Sequence, residues 1–293
     1  AALPALVLMA GMLPLPESPR WLVERGRHGV AERELSRLRG PEHDVAAEVE
    51  EITSLCREGD RAPRGLRATL RALRSPWVRP ALLVALGIAA FSQLTGINAM
   101  VYYAPTLLSE AGFGDSVALL AGVGIGLMLV LAGVTGAVSV DRVGRRRLLL
   151  WLLPASGAAM AVMGVAFLSG GGSAVQRWTV VGALFAYIFF NGASMQAVVW
   201  LIAPEVLPLA VRGPATSTAT ATLWGFDLLI AVTALTSVQV FGLTPTLLCY
   251  AAMNGLCWVF VLRRVPETRG RTLEDIEQGL RAGVMRGNAR QPR

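Results

Sequence analysis

Six apolar runs, each about long enough to cross a bilayer, constrain this chain more than any other feature. They lie at about 78–108, 116–140, 147–169, 178–203, 213–239 and 242–262. A membrane helix needs about 20 mostly apolar residues, so runs of this length predict a helix bundle. A barrel would show short alternating segments instead. The chain is 54% hydrophobic and 16% charged, with a mean hydropathy of +0.53. Soluble domains carry roughly 25% charged residues, so the composition predicts an integral membrane protein.

A seventh run, Ala1 to Leu15, is shorter and stops at Pro16-Glu-Ser-Pro-Arg-Trp21. It reads as the end of a further membrane helix, and the chain as a fragment or the product of a truncated gene. An Arg-rich polar segment follows. Within it, Gly29–Leu38 and Val45–Cys56 have helical spacing with Glu and Arg on their outer faces, and Pro41, Gly59 and Pro63 punctuate it. Two or three short amphipathic helices lying on a membrane surface are expected there. The organisation is therefore 1–15, a helix end; 16–77, a cytoplasmic helical segment; 78–263, a six-helix bundle; and 264–293, a cytoplasmic tail fraying after about Gly283.

The basic residues give the orientation. Every one is Arg: segment 20–79 holds 13, segment 141–147 four, Arg212 one and the tail from Arg263 eight, which is 26 of the 27. All of these lie on alternate connectors, and the other side has only Arg177. The positive-inside rule makes the Arg-rich side cytoplasmic in a cell (plasma or inner) membrane. The net charge of +7 is thus topology. No basic patch interleaved with aromatics points to nucleic acid, and the lipid bilayer is the expected surroundings.

Catalysis has no visible carrier. Cys56, Cys249 and Cys257 lack metal-ligand spacing, and His28 and His43 are isolated in a polar segment. No Ser-His-Asp set or phosphate-cradling loop occurs, so neither enzyme activity, cofactor nor metal is expected.

Chemistry concentrates instead inside the apolar runs. Phe91 to Pro105 carries Gln93, Thr95, Asn98 and the Tyr102-Tyr103 pair, interrupted by Gly96 and Pro105. Polar groups in hydrocarbon need partners or water, so this stretch reads either as the wall of a polar pathway or as inter-helix bonding. Gln93 and Asn98 are five apart, about 140° around a regular helix. A break near Gly96 is expected if both are to serve one ligand. Gln196 and Trp200 share a helix face with Gly192, either facing a cavity or, for Trp200, sitting in an interfacial aromatic belt. Thr216, Thr220, Trp224 and Asp227 form one stripe of an apolar helix. An unpaired carboxylate there costs at least roughly 2.5 kcal/mol, so Asp227 must face water, find a partner or be protonated.

Five strings resemble those of the sugar porters of the major facilitator superfamily, in that family's order. Pro16-Glu-Ser-Pro-Arg-Trp-Leu-Val23 resembles the string ending helix six, and Gln93-Leu-Thr-Gly-Ile-Asn98 with Tyr102-Tyr103 the motif of helix seven. Asp141-Arg-Val-Gly-Arg-Arg146 resembles the loop between helices eight and nine, and Trp200-Leu-Ile-Ala-Pro-Glu205 through Arg212-Gly213 the end of helix ten. Pro266-Glu-Thr-Arg-Gly-Arg-Thr-Leu-Glu-Asp-Ile-Glu277 resembles the motif after helix twelve.

The resemblance implies an all-α membrane fold, the C-terminal six-helix bundle arranged as two three-helix inverted repeats, with helices one to five and most of six absent. It implies alternating-access transport of a monosaccharide. The missing N-terminal half would be a partner that supplies the opposite wall and any proton-coupling acid of a symporter. It makes Gln93, Asn98, Trp200 and Asp227 substrate contacts, Asp227 with proton linkage, and Tyr102 and Tyr103 an outer gate; Trp224, on the Asp227 stripe, and Gln196, on the Trp200 face, are expected to join the substrate contacts by their helix positions. Asp141, Arg142, Arg145, Arg146, Glu205 and Arg212, with Glu267 and Arg269, become a cytoplasmic gate network. Four places depart from the family: Ser92 stands where a second Gln is usual, Leu129 where many members carry an Asn, Asp227 where an amide is common, and Gln196-Ala-Val-Val199 where a Gly-Pro-rich bend is common. The alternatives are a non-transporting sugar sensor with the same fold and a carrier of a polyol or other small solute.

Overall fold

The computed structural model describes residues 2–13, 15–39, 44–60, 66–169, 173–208 and 211–270. It divides into two compact units, 1–64 and 65–293. Pro41 and Pro63, the Gly170–Gly172 connector and the tail expected to fray lie outside the described residues.

The first unit holds α1 (Ala2–Met12), α2 (Pro19–Glu24), α3 (His28–Arg39) and α4 (Val45–Asp60). α1 is uniformly apolar, with Leu6, Leu8, Met9 and Met12 exposed. α3 and α4 extend the two helical patterns of the sequence, and α4 runs through Gly59 to Asp60. Leu22, Val23, Ala31, Leu35, Val49 and Ile52 form their common core. Arg39 of α3 bonds Glu48 of α4 across the outer face at 3.0 and 3.3 Å.

The second unit begins with α5 (Leu66–Leu73) and holds six stretches long and apolar enough to span a membrane. Two of the six are interrupted. The first is α6 (Arg79–Leu94) followed by α7 (Ile97–Glu110), and the fourth is α10 (Ala174–Asn191), a π-helical turn (Gly192–Gln196) and α11 (Ala197–Val206). The others are α8 (Asp115–Val143), α9 (Arg145–Ala166), α12 (Arg212–Phe241) and α13 (Leu243–Arg264). α11 reaches Val206, so the helix passes through Pro204, where the sequence suggested a connector. α9 packs between α10 and α13, and α12 lies along α6.

The core of this unit is split in two. One apolar cluster joins Ala81–Ala89, Leu148–Leu153, Met195–Leu207, Val211, Ala215–Leu223 and Cys257–Val265, toward the Arg-rich ends. The other joins Ile97–Ala111, Ala159–Met163, Val180–Ile188, Ile230–Ala234 and Leu247–Tyr250. The residues between the two clusters are polar on five spans: Ser92, Gln93 and Thr95; Ser156; Asn191; Asp227; and Asn254. A polar layer therefore crosses the middle of an apolar bundle. Hydrocarbon offers such groups no water, so they persist by bonding one another or by facing a wet cavity.

Candidate functional site

The break between α6 and α7 organises this layer. Gly96 adopts φ +91°, a left-handed conformation that favours glycine. Space demands glycine as well: a Cβ there would lie 2.7 Å from Cδ1 of Tyr250. The turn closes through Thr95 N–H to Phe91 O at 3.0 Å and Gly96 N–H to Gln93 O at 2.8 Å.

A broken helix frees backbone carbonyls, and here side chains from other helices take them up. Thr95 O accepts from Tyr187 Oη at 2.7 Å and from Asn254 Nδ2 at 3.1 Å. Asn254 also donates to Tyr250 O at 2.8 Å and accepts from Ser156 Oγ at 3.0 Å. The Thr95 hydroxyl accepts from Asn191 Nδ2 at 3.1 Å. Thr95, Ser156, Tyr187, Asn191 and Asn254 are all fully buried or nearly so. This knot fastens the break to α9, α10 and α13.

The break brings Gln93 and Asn98 together, as expected. Asn98 Nδ2 donates to Gln93 Oε1 at 2.9 Å and also to Asp227 Oδ1 of α12. Gln93 is only 4% exposed and lies behind Asn98, while Asn98 and Asp227 are partly exposed. Trp224, one turn before Asp227 on the same helix face, is 57% exposed. The tyrosine pair divides: Tyr103 donates its hydroxyl to Ala231 O of α12 at 3.2 Å, and Tyr102 projects outward.

A second feature is a cavity of about 600 Å³ between α8 and the π turn with α11. Gly192, Gln196 and Trp200 line it on one face, as their spacing predicts, opposite Leu129 and Gly133 of α8, with Asp141 and Arg145 at one end. Gln196 Nε2 is buried without a partner among the described residues. Trp200 is 55% exposed. α8 fits closely against the π turn: a Cβ on Gly136 would lie 2.9 Å from Ala193 O. The lining omits Gln93, Asn98, Trp224 and Asp227, so the six expected contact residues fall into two groups.

The charged cluster centres on Arg145. Its guanidinium meets Glu205 at 2.8 and 3.0 Å and Asp141 at 3.0 Å, and its backbone N–H donates to Glu267 at 3.0 Å. Glu267 also accepts from Arg147 N–H at 3.3 Å, capping the N-terminus of α9 with negative charge, where the helix dipole favours it. Thr268 Oγ1 donates to Glu205 at 2.6 Å. The other expected members make different contacts. Arg142 is exposed, Arg146 donates to Leu262 O at 2.9 Å, Arg212 donates to Leu207 O at 3.1 Å, and Arg269 touches Glu267 only through its backbone N–H, at 3.3 Å.

Sequence reading missed Ser156, Tyr187, Asn191, Asn254 and Thr268. The signal for three of them was available: Ser156, Asn191 and Asn254 are polar residues near the middle of apolar spans.

The profile of a family described as "Sugar (and other) transporter" matches residues 1–280. The probable metabolite transport protein CsbC of Bacillus subtilis is 35% identical over 281 residues, covering 96% of this chain and 59% of that protein. The major myo-inositol transporter IolT of the same organism is also 35% identical, over 283 residues, with the same two coverages. Among solved structures, the proton:xylose symporter XylE bound to 6-bromo-6-deoxy-D-glucose aligns with a TM-score of 0.75 at 26% identity. That alignment covers 94% of this chain and 56% of XylE. The chain thus spans about 60% of the length of these relatives.

Proposed function

Since the chain belongs to the sugar (and other) transporter family, we propose that it forms the solute-binding half of a carrier for a monosaccharide or a related cyclic polyol. It acts by alternating access, rocking against a facing six-helix half around a site near the middle of the bilayer. No bond in the solute is made or broken, and the protein is a carrier with no enzymatic step. The full-length carrier is this chain joined to that facing half, embedded in the lipid of the cell membrane. α1 is the end of the helix leading in from the facing half. The Arg-rich connectors and the C-terminal tail lie on the cytoplasmic side.

The observation that carries this reading is the Gly96 break, which sets Asn98 against Gln93 and Asp227 between two apolar cores. A sugar is a ring of hydroxyls with weakly apolar faces, and it needs polar groups plus aromatic platforms. Asn98 and Asp227 supply the first, with Gln93 supporting Asn98 from behind. Trp200 and Trp224 supply the second, and Gln196, whose Nε2 has no partner among the described residues, lines the cavity on the cytoplasmic side of the site. Tyr102 and Tyr103 close the outer approach. Arg145 with Glu205 and Asp141 closes the inner one.

The polyol reading draws support from IolT, a myo-inositol transporter. Counterflow uptake of D-xylose, D-glucose and myo-inositol into vesicles holding the full-length carrier tests the proposal. Uptake of at least one, competed by the unlabelled compound, is expected. Absence of all three, with correctly inserted protein, contradicts it.

A further inference from the structure

Asp227 sets the direction of the hydrogen bonds that run from it through Asn98 and Gln93 to Ser92. A carboxylate only accepts, so Asn98 must turn its NH2 toward Oδ1 of Asp227. The other hydrogen of that NH2 goes to Gln93 Oε1 at 2.9 Å. Gln93 therefore points its own NH2 the other way, toward Ser92 Oγ at 3.4 Å. Ser92 passes its hydrogen on to Ala89 O at 2.7 Å. An amide at position 227 would leave Asn98 free to present either end. A carboxylate removes that freedom, and the relay runs one way.

The relay decides what a solute would meet. Both donors of Asn98 are spent on Gln93 and Asp227. What Asn98 and Asp227 still offer is acceptors only: Oδ1 of Asn98 and the second carboxylate oxygen of Asp227. Within this relay the one spare donor belongs to Gln93, which is buried behind Asn98. Among the described residues no Arg forms an ion pair with Asp227, so its charge has no countercharge among them.

We propose that the Asp227 carboxylate and the Asn98 carbonyl make an acceptor-only subsite, which takes a hydrogen-donating group of the solute and prefers an ammonium, as on an amino sugar or aminocyclitol, over the neutral hydroxyl. This rests on the carrier reading above. A hydroxyl there binds because it donates. Fluorine in its place, which only accepts, meets two acceptors and is rejected. An ammonium brings three hydrogens and the missing positive charge.

The experiment takes whichever of D-xylose, D-glucose and myo-inositol the full-length carrier binds best. Its monodeoxy, monodeoxyfluoro and monoamino analogues then compete for uptake, at a pH where the amine is charged. At one or two positions, the deoxy and fluoro analogues should both bind roughly 10- to 100-fold more weakly than the parent, the range for losing a hydrogen bond to a charged group. The amino analogue at the same position should bind more tightly than the parent. In Asp227→Asn the amino advantage should vanish and the fluoro penalty shrink.

The wild-type pattern decides the matter even if that variant is poorly inserted. Fluoro analogues that bind like the parent at every position where deoxy analogues are weak would show that the protein donates there, and would overturn the proposal. So would an unchanged pattern in a well-inserted Asp227→Asn carrier. If none of the three parents binds, the carrier reading itself falls, and this inference with it. If a parent binds but the analogue pattern is absent, only the inference falls.

Discussion

Asn254, near the middle of α13, donates to the carbonyl of Thr95, which lies 159 positions earlier at the break between α6 and α7. The same carbonyl accepts from Tyr187, and Asn254 is itself held by Ser156. The break at the proposed solute site is thus stabilised from behind by three other helices. Replacing Asn254 with Leu leaves Thr95 O one donor short and Ser156 without its acceptor in a buried setting, at a cost of about 1–3 kcal/mol. The thermal unfolding midpoint of the purified full-length carrier should fall accordingly. Tyr187→Phe removes one donor from a carbonyl that keeps another, and should fall by less. Equal midpoints for Asn254→Leu and wild type would show that the knot contributes nothing.

Gly96→Ala combines two penalties. The left-handed φ disfavours any side chain by roughly 1–2 kcal/mol, and the new Cβ meets the Tyr250 ring. Shortening Tyr250 to Leu in the same chain removes the second penalty and leaves the first. The double variant should therefore be more stable than the sum of the two single losses predicts. Strict additivity in unfolding midpoints would contradict the contact.

Arg145 and Glu205 test the inner closure. The pair is partly screened, with side chains 13% and 24% exposed, so its contribution is modest. Arg145→Ala removes the links to Glu205 and Asp141 together. A bias of about 1–2 kcal/mol between conformations changes their ratio roughly 5- to 30-fold. A cysteine placed at Leu129 in the cavity should then react faster with a membrane-impermeant maleimide added from the cytoplasmic side. An unchanged labelling rate would remove Arg145 from the closure.

The sequence made some of this legible because the governing distances are local. The break near Gly96, the shared face of Gly192, Gln196 and Trp200, and the six spans all follow from spacing within one helix. What lay hidden depends on which helices meet. Thr95 finds Tyr187, Asn191 and Asn254 across separations of 92 to 159 residues, which no local period encodes. Gln93 looked equivalent to Asn98 as an amide, yet the break that joins them leaves Gln93 behind and Asn98 in front. The resemblance implies one network along the charged rim. Geometry selects Arg145, Asp141 and Glu205 and leaves Arg142 at the surface, because a guanidinium pairs only with the carboxylates its helix end can reach.

In the proposed carrier the solute meets Asn98 at the break. Truncating Asn98 to Ala in the full-length carrier removes its carbonyl from the solute and the donor from Asp227. The half-saturating concentration for counterflow of the best of D-xylose, D-glucose and myo-inositol should rise by about tenfold or more, while the protein still inserts in the membrane and unfolds cooperatively. Uptake by Asn98→Ala with wild-type half-saturation and rate would place the solute elsewhere and contradict this account.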